Sequence, residues 1–142
     1  MSWRMVLTND ICSICIRSVD NVLKFMRHHM AMKGCPTSKD HYVCRPCDEA
    51  AGGHFSLEEG IVLCENQLRT EQHLAETAIH ETIHAFDHCR IKIDWSNCYH
   101  HACSEIRAAN LSGDCRMMNE WARGHYGFSR HHQVCPGSCP DA

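Results

Sequence analysis

Apolar side chains recur at helical spacing in two long stretches of the chain. The first stretch, "SVDNVLKFMRHHMAMKG", has apolar residues at i, i+3, i+4, i+7 and i+11, and Gly34 follows as a helix terminator. This pattern predicts a helix over about residues 18–33. In the second stretch, helical spacing continues from near Thr70 to about Ile91 with no Gly or Pro, which predicts one long, uninterrupted helix.

Shorter runs predict strands and two further helices. The runs "HYVC", "GIVLC" and "GGHFSLEEG" are rich in β-forming residues or bounded by Gly and Pro, so they predict a small antiparallel sheet. After "DWSN" ends the long helix, one helix is expected to end near Gly113 and another near Gly124. The predicted fold class is therefore α+β.

Length and charge narrow the class of protein. A chain of 142 residues fits one domain with a real core. The net charge is −3 and the basic residues form no run, so we expect no nucleic-acid partner. No apolar stretch approaches the roughly 18 residues that span a bilayer, and "MSWRMVLTND" lacks a signal peptide or amphipathic presequence. Any membrane attachment is therefore expected to be peripheral.

Twelve cysteines are spread over the chain, which is close to the density of small disulfide-rich proteins. An even number over the whole length favours disulfides formed in an oxidising compartment. The alternative is a zinc ribbon, because Cys12 and Cys15, and likewise Cys44 and Cys47, have the spacing of half a ribbon. The long separation between the two halves makes disulfides the favoured interpretation.

The long helix carries the motif H-E-x-x-H, formed by His80, Glu81 and His84. Residues four apart on a helix lie about 40° apart around the axis and ~6 Å along it, so both imidazoles can reach one ion. Glu81 lies on the flank of the same face, where its carboxylate can act as a general base without binding the metal. The motif predicts a zinc site that needs a third protein ligand and leaves one position for water.

Two carboxylates compete to be the third zinc ligand. Asp87 lies on the same helix face but ~10.5 Å beyond His80 along the axis, which a short side chain covers poorly. Twenty residues separate Glu105 from His84, and a return through the next helix can bring it over the pair. This spacing resembles the thermolysin-like class, so Glu105 is favoured. Asp87 then becomes a candidate to accept a hydrogen bond from an imidazole.

The remaining candidates are weaker. We expect His73, His88 and three His-His pairs to be ordinary core or surface residues; the pairs are His28-His29, His100-His101 and His131-His132. The class requires a donor to the reaction oxyanion, and spacing does not choose among Tyr99, His125, Tyr126 and His131. The run "GIVLC" is a candidate edge strand on which an extended substrate could pair.

Three longer segments, "HETIHAFDHCR", "DWSNCYHHACSEIRAANLSGDC" and "HHQVC", closely resemble the mitochondrial inner membrane metalloprotease family that processes subunit 6 of ATP synthase. The resemblance covers about residues 12–135 and also includes "GIVLC". It implies a disulfide-rich, zincin-like metalloprotease domain over 12–134, after a short tail at 1–11. Residues 135–142 diverge from the family pattern and are expected to form an irregular tail.

The resemblance also implies where such a protein acts and on what. It implies a zinc peptidase at the intermembrane-space side of the mitochondrial inner membrane, attached peripherally, with the precursor of ATP synthase subunit 6 as partner. It further implies a role in ATP synthase assembly. The alternative is a chaperone or assembly factor without proteolysis, in which this C-terminally shortened chain does not use the metal site. The oligomeric state is not predicted.

Overall fold

The computed structural model describes Cys12 and residues 21–113. Its elements, in chain order, are helix α1 (Asn21–Met32), a short 3-10 helix (Lys39–His41), strands β1 (Tyr42–Arg45), β2 (Gly53–Ser56) and β3 (Gly60–Cys64), and helices α2 (Glu71–Ile91) and α3 (Cys98–Ser112). These elements confirm the α+β class and the described parts of three of the four predicted helices. The predicted helix ending near Gly124, the two tails and the outer parts of the domain at 12–134 lie outside the described residues.

The three strands form a mixed sheet in the order β1-β3-β2. Strand β2 pairs antiparallel with β3, but β1 pairs parallel with it, so the predicted antiparallel sheet is wrong for β1. The disulfide between Cys47 and Cys64 holds the chain after β1 beside the end of β3, and Arg45 and Cys64 are partners in the parallel register. A covalent contact between segments distant in sequence thus supports a pairing that strand patterns do not reveal.

Strand β3, the run "GIVLC", is the central strand, so its prediction as an edge strand is also wrong. Its side chains from Ile61 to Cys64 are all buried. A continuous apolar run is typical of a strand covered on both faces, whereas an edge strand usually alternates. Within the described residues, the outer edges of this sheet belong to β1 and β2.

Helix α2 packs against β2, β3 and α3. It begins where the Thr70 hydroxyl accepts a hydrogen bond from the His73 amide at 3.0 Å. It ends at Lys92, whose φ of 51° lies in the left-handed region. Asn97 caps the start of helix α3, and its side chain accepts hydrogen bonds from the amides of Tyr99 and His100. These caps fix where each helix starts or stops, and the two helices contact each other along their length.

Disulfides link seven of the eight described cysteines, which supports the favoured interpretation of the cysteine pattern. The bonds join Cys12 to Cys44, Cys35 to Cys89, and Cys47 to Cys64. Cys98 is also disulfide-bonded, and Cys103 is free. The zinc ribbon is therefore wrong for Cys12, Cys44 and Cys47, while Cys15 lies outside the described residues. The Cys35–Cys89 bond ties the segment after α1 to the C-terminal half of α2.

Candidate metal centre

His80 and His84 lie on the face of α2 that is turned toward α3, and Glu105 of α3 lies opposite them. The Glu105 carboxylate has one oxygen 3.3 Å from His80 Nε2 and the other 3.0 Å from His84 Nε2. One ligand atom from each of the three residues lies within 4.8 Å of the other two. The structure therefore brings together the two motif histidines and the favoured third candidate.

The spacing of these atoms suits zinc. Nitrogen and carboxylate ligands bind zinc at about 2.0–2.2 Å in a tetrahedral arrangement, so neighbouring ligand atoms are about 3.3 Å apart. The two nitrogen–oxygen separations, 3.3 Å to Oε2 and 3.0 Å to Oε1 of the same carboxylate, are close to that value. Two neutral imidazoles and one carboxylate also form a known donor set of catalytic zinc sites. The residues present thus fit a zinc ion in both chemistry and spacing.

Trp95, in the connection between α2 and α3, packs against the site. Its indole ring is 5.6 Å from the His84 ring and 5.7 Å from the His101 ring, each in an edge-on arrangement. The indole N–H donates to His88 Nδ1 at 3.2 Å, so His88 serves a structural contact, as expected. Trp95 therefore contacts rings of both helices and holds the two sides of the site together.

Glu81 lies beside the ligand cluster and is 7% exposed. It lines a cavity of about 310 Å³ together with β2 residues 53–55, His84, Trp95, His101 and Glu105. Burial raises the pKa of the Glu81 carboxyl, and the charges of His80 and His84 oppose that rise. A raised carboxyl pKa lies closer to neutral pH, which suits a group that takes up and releases a proton.

The Glu105 carboxyl has the opposite environment. Hydrogen bonds from His80 and His84 hold the pKa of Glu105 well below its usual range, although partial burial opposes them. Glu105 is therefore an ionised carboxylate, which is the form that binds a metal. Two glutamates near one cavity thus have pKa values shifted in opposite directions, an arrangement that separates a ligand from a proton acceptor.

Asp87, the alternative third ligand, lies elsewhere. It is not part of the cluster formed by the two imidazoles and Glu105. Its two carboxylate oxygens accept from Arg107 Nε at 3.1 and 2.9 Å. It also accepts from the Ser104 hydroxyl at 3.3 Å, and Ser104 Oγ lies 2.8 Å from His84 Nδ1. The expectation that Asp87 itself accepts an imidazole N–H is therefore wrong, because the Ser104 hydroxyl lies between Asp87 and His84.

His101 lines the site, although the sequence interpretation set it aside with its neighbour His100. Its Nε2 lies 3.4 Å from Glu105 Oε1, and its side chain is 52% exposed. The sequence could have indicated this, because His101 lies four residues before Glu105 on one helix and such residues share a face.

Tyr99, a candidate oxyanion donor, lines a separate cavity of about 530 Å³ beside Asp87 and Arg107. The other three candidate donors lie outside the described residues.

A second cluster of metal-binding residue types is formed by Cys47, Glu49, His54 and Cys64. Its two sulfurs are bonded to each other in a disulfide. Because a thiolate, not a disulfide, is the metal ligand that cysteine supplies, this cluster does not compete with the first.

An H-E-x-x-H helix faced by a glutamate from the next helix is the side-chain set of a metallopeptidase. The chain belongs to the Peptidase M76 family, whose sequence profile matches residues 10–137. This family assignment confirms the resemblance noted in the sequence.

Its relatives include proteins named for the mitochondrial inner membrane. A Danio rerio "mitochondrial inner membrane protease ATP23 homolog" is 47% identical over 115 residues, which are 79% of this chain and 45% of the relative. The Homo sapiens homolog is 46% identical over 116 residues, 80% of this chain and 47% of the relative. A Coccidioides immitis "mitochondrial inner membrane protease ATP23" is 44% identical over 116 residues, 80% of this chain and 49% of the relative.

The chain spans about half the length of these curated relatives. No solved structure matches it significantly. Among the described residues, none of the helices has both the length and the apolar character needed to cross a bilayer.

Proposed function

We propose that this chain is a zinc-dependent endopeptidase in which His80, His84 and Glu105 hold the metal and Glu81 is the general base. The observation that carries the proposal is the approach of one carboxylate to both imidazole Nε2 atoms, at 3.3 and 3.0 Å. A catalytic zinc needs three such ligands, and a cavity of about 310 Å³ lies beside His84 and Glu105. Membership of a peptidase family supports the same reaction class.

Each residue then has a defined task. When bound, zinc supplies Lewis acidity, which lowers the pKa of water and polarises the scissile carbonyl. Glu81 accepts a proton from the attacking water on its carboxylate and delivers it to the departing amine nitrogen. Burial at the cavity wall keeps bulk water from competing for that carboxylate.

For location and substrate, we propose the intermembrane-space face of the mitochondrial inner membrane, with peripheral attachment. The relatives' names support the membrane, and the family resemblance supports the side and the attachment. The proposed substrate is the precursor of ATP synthase subunit 6, whose N-terminal extension the enzyme removes. A role in ATP synthase assembly is proposed on the same resemblance.

Metal removal and a ligand variant test this function together. We expect the purified chain to bind about one zinc and to cleave a peptide spanning the subunit 6 processing site. A chelator should stop cleavage, and added zinc should restore it. The variant His80→Ala should lose both zinc and cleavage, because two ligands rarely hold a catalytic zinc. His73→Ala is the matched control, since His73 is exposed on the same helix.

The outcome that contradicts the proposal is cleavage that survives both the chelator and His80→Ala. Zinc binding without cleavage of any peptide would contradict the peptidase role and leave assembly as the function to pursue. Subunit 6 assembly measured in cells that carry His80→Ala would separate the two roles, because assembly without proteolysis does not need the metal.

Strand β2, unlike "GIVLC", is an outer strand of the sheet and therefore a candidate substrate-pairing edge. The Cys64 amide donates to the Gly52 carbonyl at 2.8 Å, and Gly53 and Phe55 pair with Leu63 and Ile61. Hydrogen-bonded and non-hydrogen-bonded residue pairs alternate along an antiparallel ladder, and Gly52 with Cys64 is a hydrogen-bonded pair. Gly53 and Phe55 are therefore in non-hydrogen-bonded pairs, so their backbone N–H and C=O groups point away from β3. Both residues line the cavity beside Glu81. We propose that an extended substrate pairs with these outward groups.

N-methylation of the peptide substrate tests this pairing. Methylating one backbone amide at a time removes one donor without changing any side chain. We expect KM to rise at amides that bond to the carbonyls of β2, by about fivefold for a loss of about 1 kcal/mol per bond. Amides at alternate positions, which point away from the strand, are internal controls. A uniform effect at every position would contradict pairing along β2.

A further inference from the structure

We propose that Ser104 is a positioning residue, which relays a hydrogen bond from His84 to the Asp87–Arg107 pair and so directs the His84 Nε2 lone pair toward the metal. This inference rests on the proposed zinc site. It concerns a residue that is outside the motif, outside the ligand cluster and outside the lining of the cavity beside Glu81.

Two consecutive residues of α3 contact the two ring nitrogens of His84. Ser104 Oγ lies 2.8 Å from Nδ1, and Glu105 Oε1 lies 3.0 Å from Nε2. Because adjacent residues on a helix point about 100° apart, this pair of contacts fixes α3 against α2 in both rotation and translation. The packing of α3 that brings Glu105 to His84 Nε2 therefore also brings Ser104 to His84 Nδ1.

The direction of each hydrogen bond follows from the donors available. The Asp87 carboxylate accepts only, and it receives the Ser104 hydroxyl at 3.3 Å. A hydroxyl has one hydrogen, so Ser104 Oγ must accept at its contact with His84 Nδ1. His84 therefore carries a hydrogen on Nδ1. In this structure Nε2 donates to the Glu105 carboxylate at 3.0 Å, and a ring that keeps its hydrogen on Nδ1 has Nε2 as the nitrogen that can offer a lone pair to a metal in place of that hydrogen.

The far end of the relay is neutralised by Arg107. Asp87 is 5% exposed, and a buried carboxylate is unfavourable without a partner. Arg107 Nε donates to its two oxygens at 3.1 and 2.9 Å. The Ser104 side chain itself is 2% exposed, so water does not readily replace its hydroxyl. The relay thus runs through three buried residues, His84, Ser104 and Asp87, and ends at Arg107, whose side chain is half exposed.

Zinc affinity of Ser104 variants tests the relay. We expect Ser104→Ala to weaken zinc binding 10–100-fold in competition with a chromophoric chelator, the range seen when outer partners of metal ligands are removed. Ser104→Thr, which keeps the hydroxyl, should restore most of the affinity. Ser112→Ala is the matched control, because Ser112 is a buried serine at the other end of α3, with its hydroxyl 3.5 Å from the Ala109 carbonyl.

Melting of the metal-free variants measures any general loss of stability. Equal zinc affinity in Ser104→Ala and the unaltered chain would overturn the inference. A loss of the same size in Ser112→Ala, or failure of a folded Ser104→Thr to recover affinity, would also overturn it, because the effect would not follow the relay. Failure of the unaltered chain to bind zinc would instead overturn the proposed function, and this inference with it.

Discussion

Glu81→Gln is expected to abolish peptide cleavage while zinc remains bound. The substitution keeps the size of the side chain but removes the carboxylate that accepts the proton from water. General acid–base catalysis contributes about 10²- to 10⁴-fold to the rate, so kcat should fall at least about 100-fold. Because Glu81 is not in the ligand cluster, zinc content should stay near that of the unaltered chain. Peptide turnover and metal analysis on the same preparation measure both quantities.

Glu76→Gln is the matched control for this experiment. Glu76 lies on the same helix more than one turn before Glu81 and is outside the site cavity. The control should retain cleavage and zinc. Cleavage retained by Glu81→Gln would remove Glu81 from its proposed role, whereas loss of zinc in that variant would show that it supports the metal instead.

The second large effect is expected from Glu105→Ala, which should release zinc and abolish cleavage together. Removing a residue that only hydrogen-bonds to a metal ligand typically lowers metal affinity about 10–100-fold. Removing a direct ligand should therefore lower zinc affinity by more than about 100-fold. The two imidazoles that remain lose the carboxylate whose oxygens lie 3.3 and 3.0 Å from them. Zinc affinity by chelator competition measures the effect, and the melting temperature of the metal-free protein reports on folding.

Two further variants complete this comparison. Asp87→Ala should weaken zinc less than Glu105→Ala does, because Asp87 reaches His84 only through Ser104. Glu58→Ala, at an exposed turn, should leave zinc unchanged. The reverse order, with Asp87→Ala losing zinc and Glu105→Ala retaining it, would mean that Asp87 is the third ligand and that the proposed assignment is wrong.

The helices were predictable because their signals are local. The apolar spacing of α2 and the absence of Gly and Pro were visible in the sequence, and Thr70 caps it where the pattern begins. Helix α3 ends beside Gly113, whose φ of 95° favours a residue without a side chain. In each case the residues that decide the boundary lie within one helical turn of it.

The sheet was predicted less well because strand pairing is not local. Strand β1 and strand β2 are consecutive in the chain, yet β3 lies between them. The parallel pairing of Arg45 with Cys64 is held by the disulfide from Cys47 to Cys64. Neither the order of strands nor a cysteine pairing can be read from alternation within a short run. The edge proposed for substrate pairing is consequently β2 and not β3.

The sequence by itself determined that two imidazoles and a neighbouring carboxylate share one face of a helix, because residues four apart on an α-helix always do. Tertiary structure alone decided which distant carboxylate faces them. The packing of α3 on α2 brings Glu105 to the imidazoles, pairs Asp87 with Arg107 and places Ser104 between Asp87 and His84. Those contacts depend on how two helices pack against each other, and helix packing is set by the whole core rather than by any short segment.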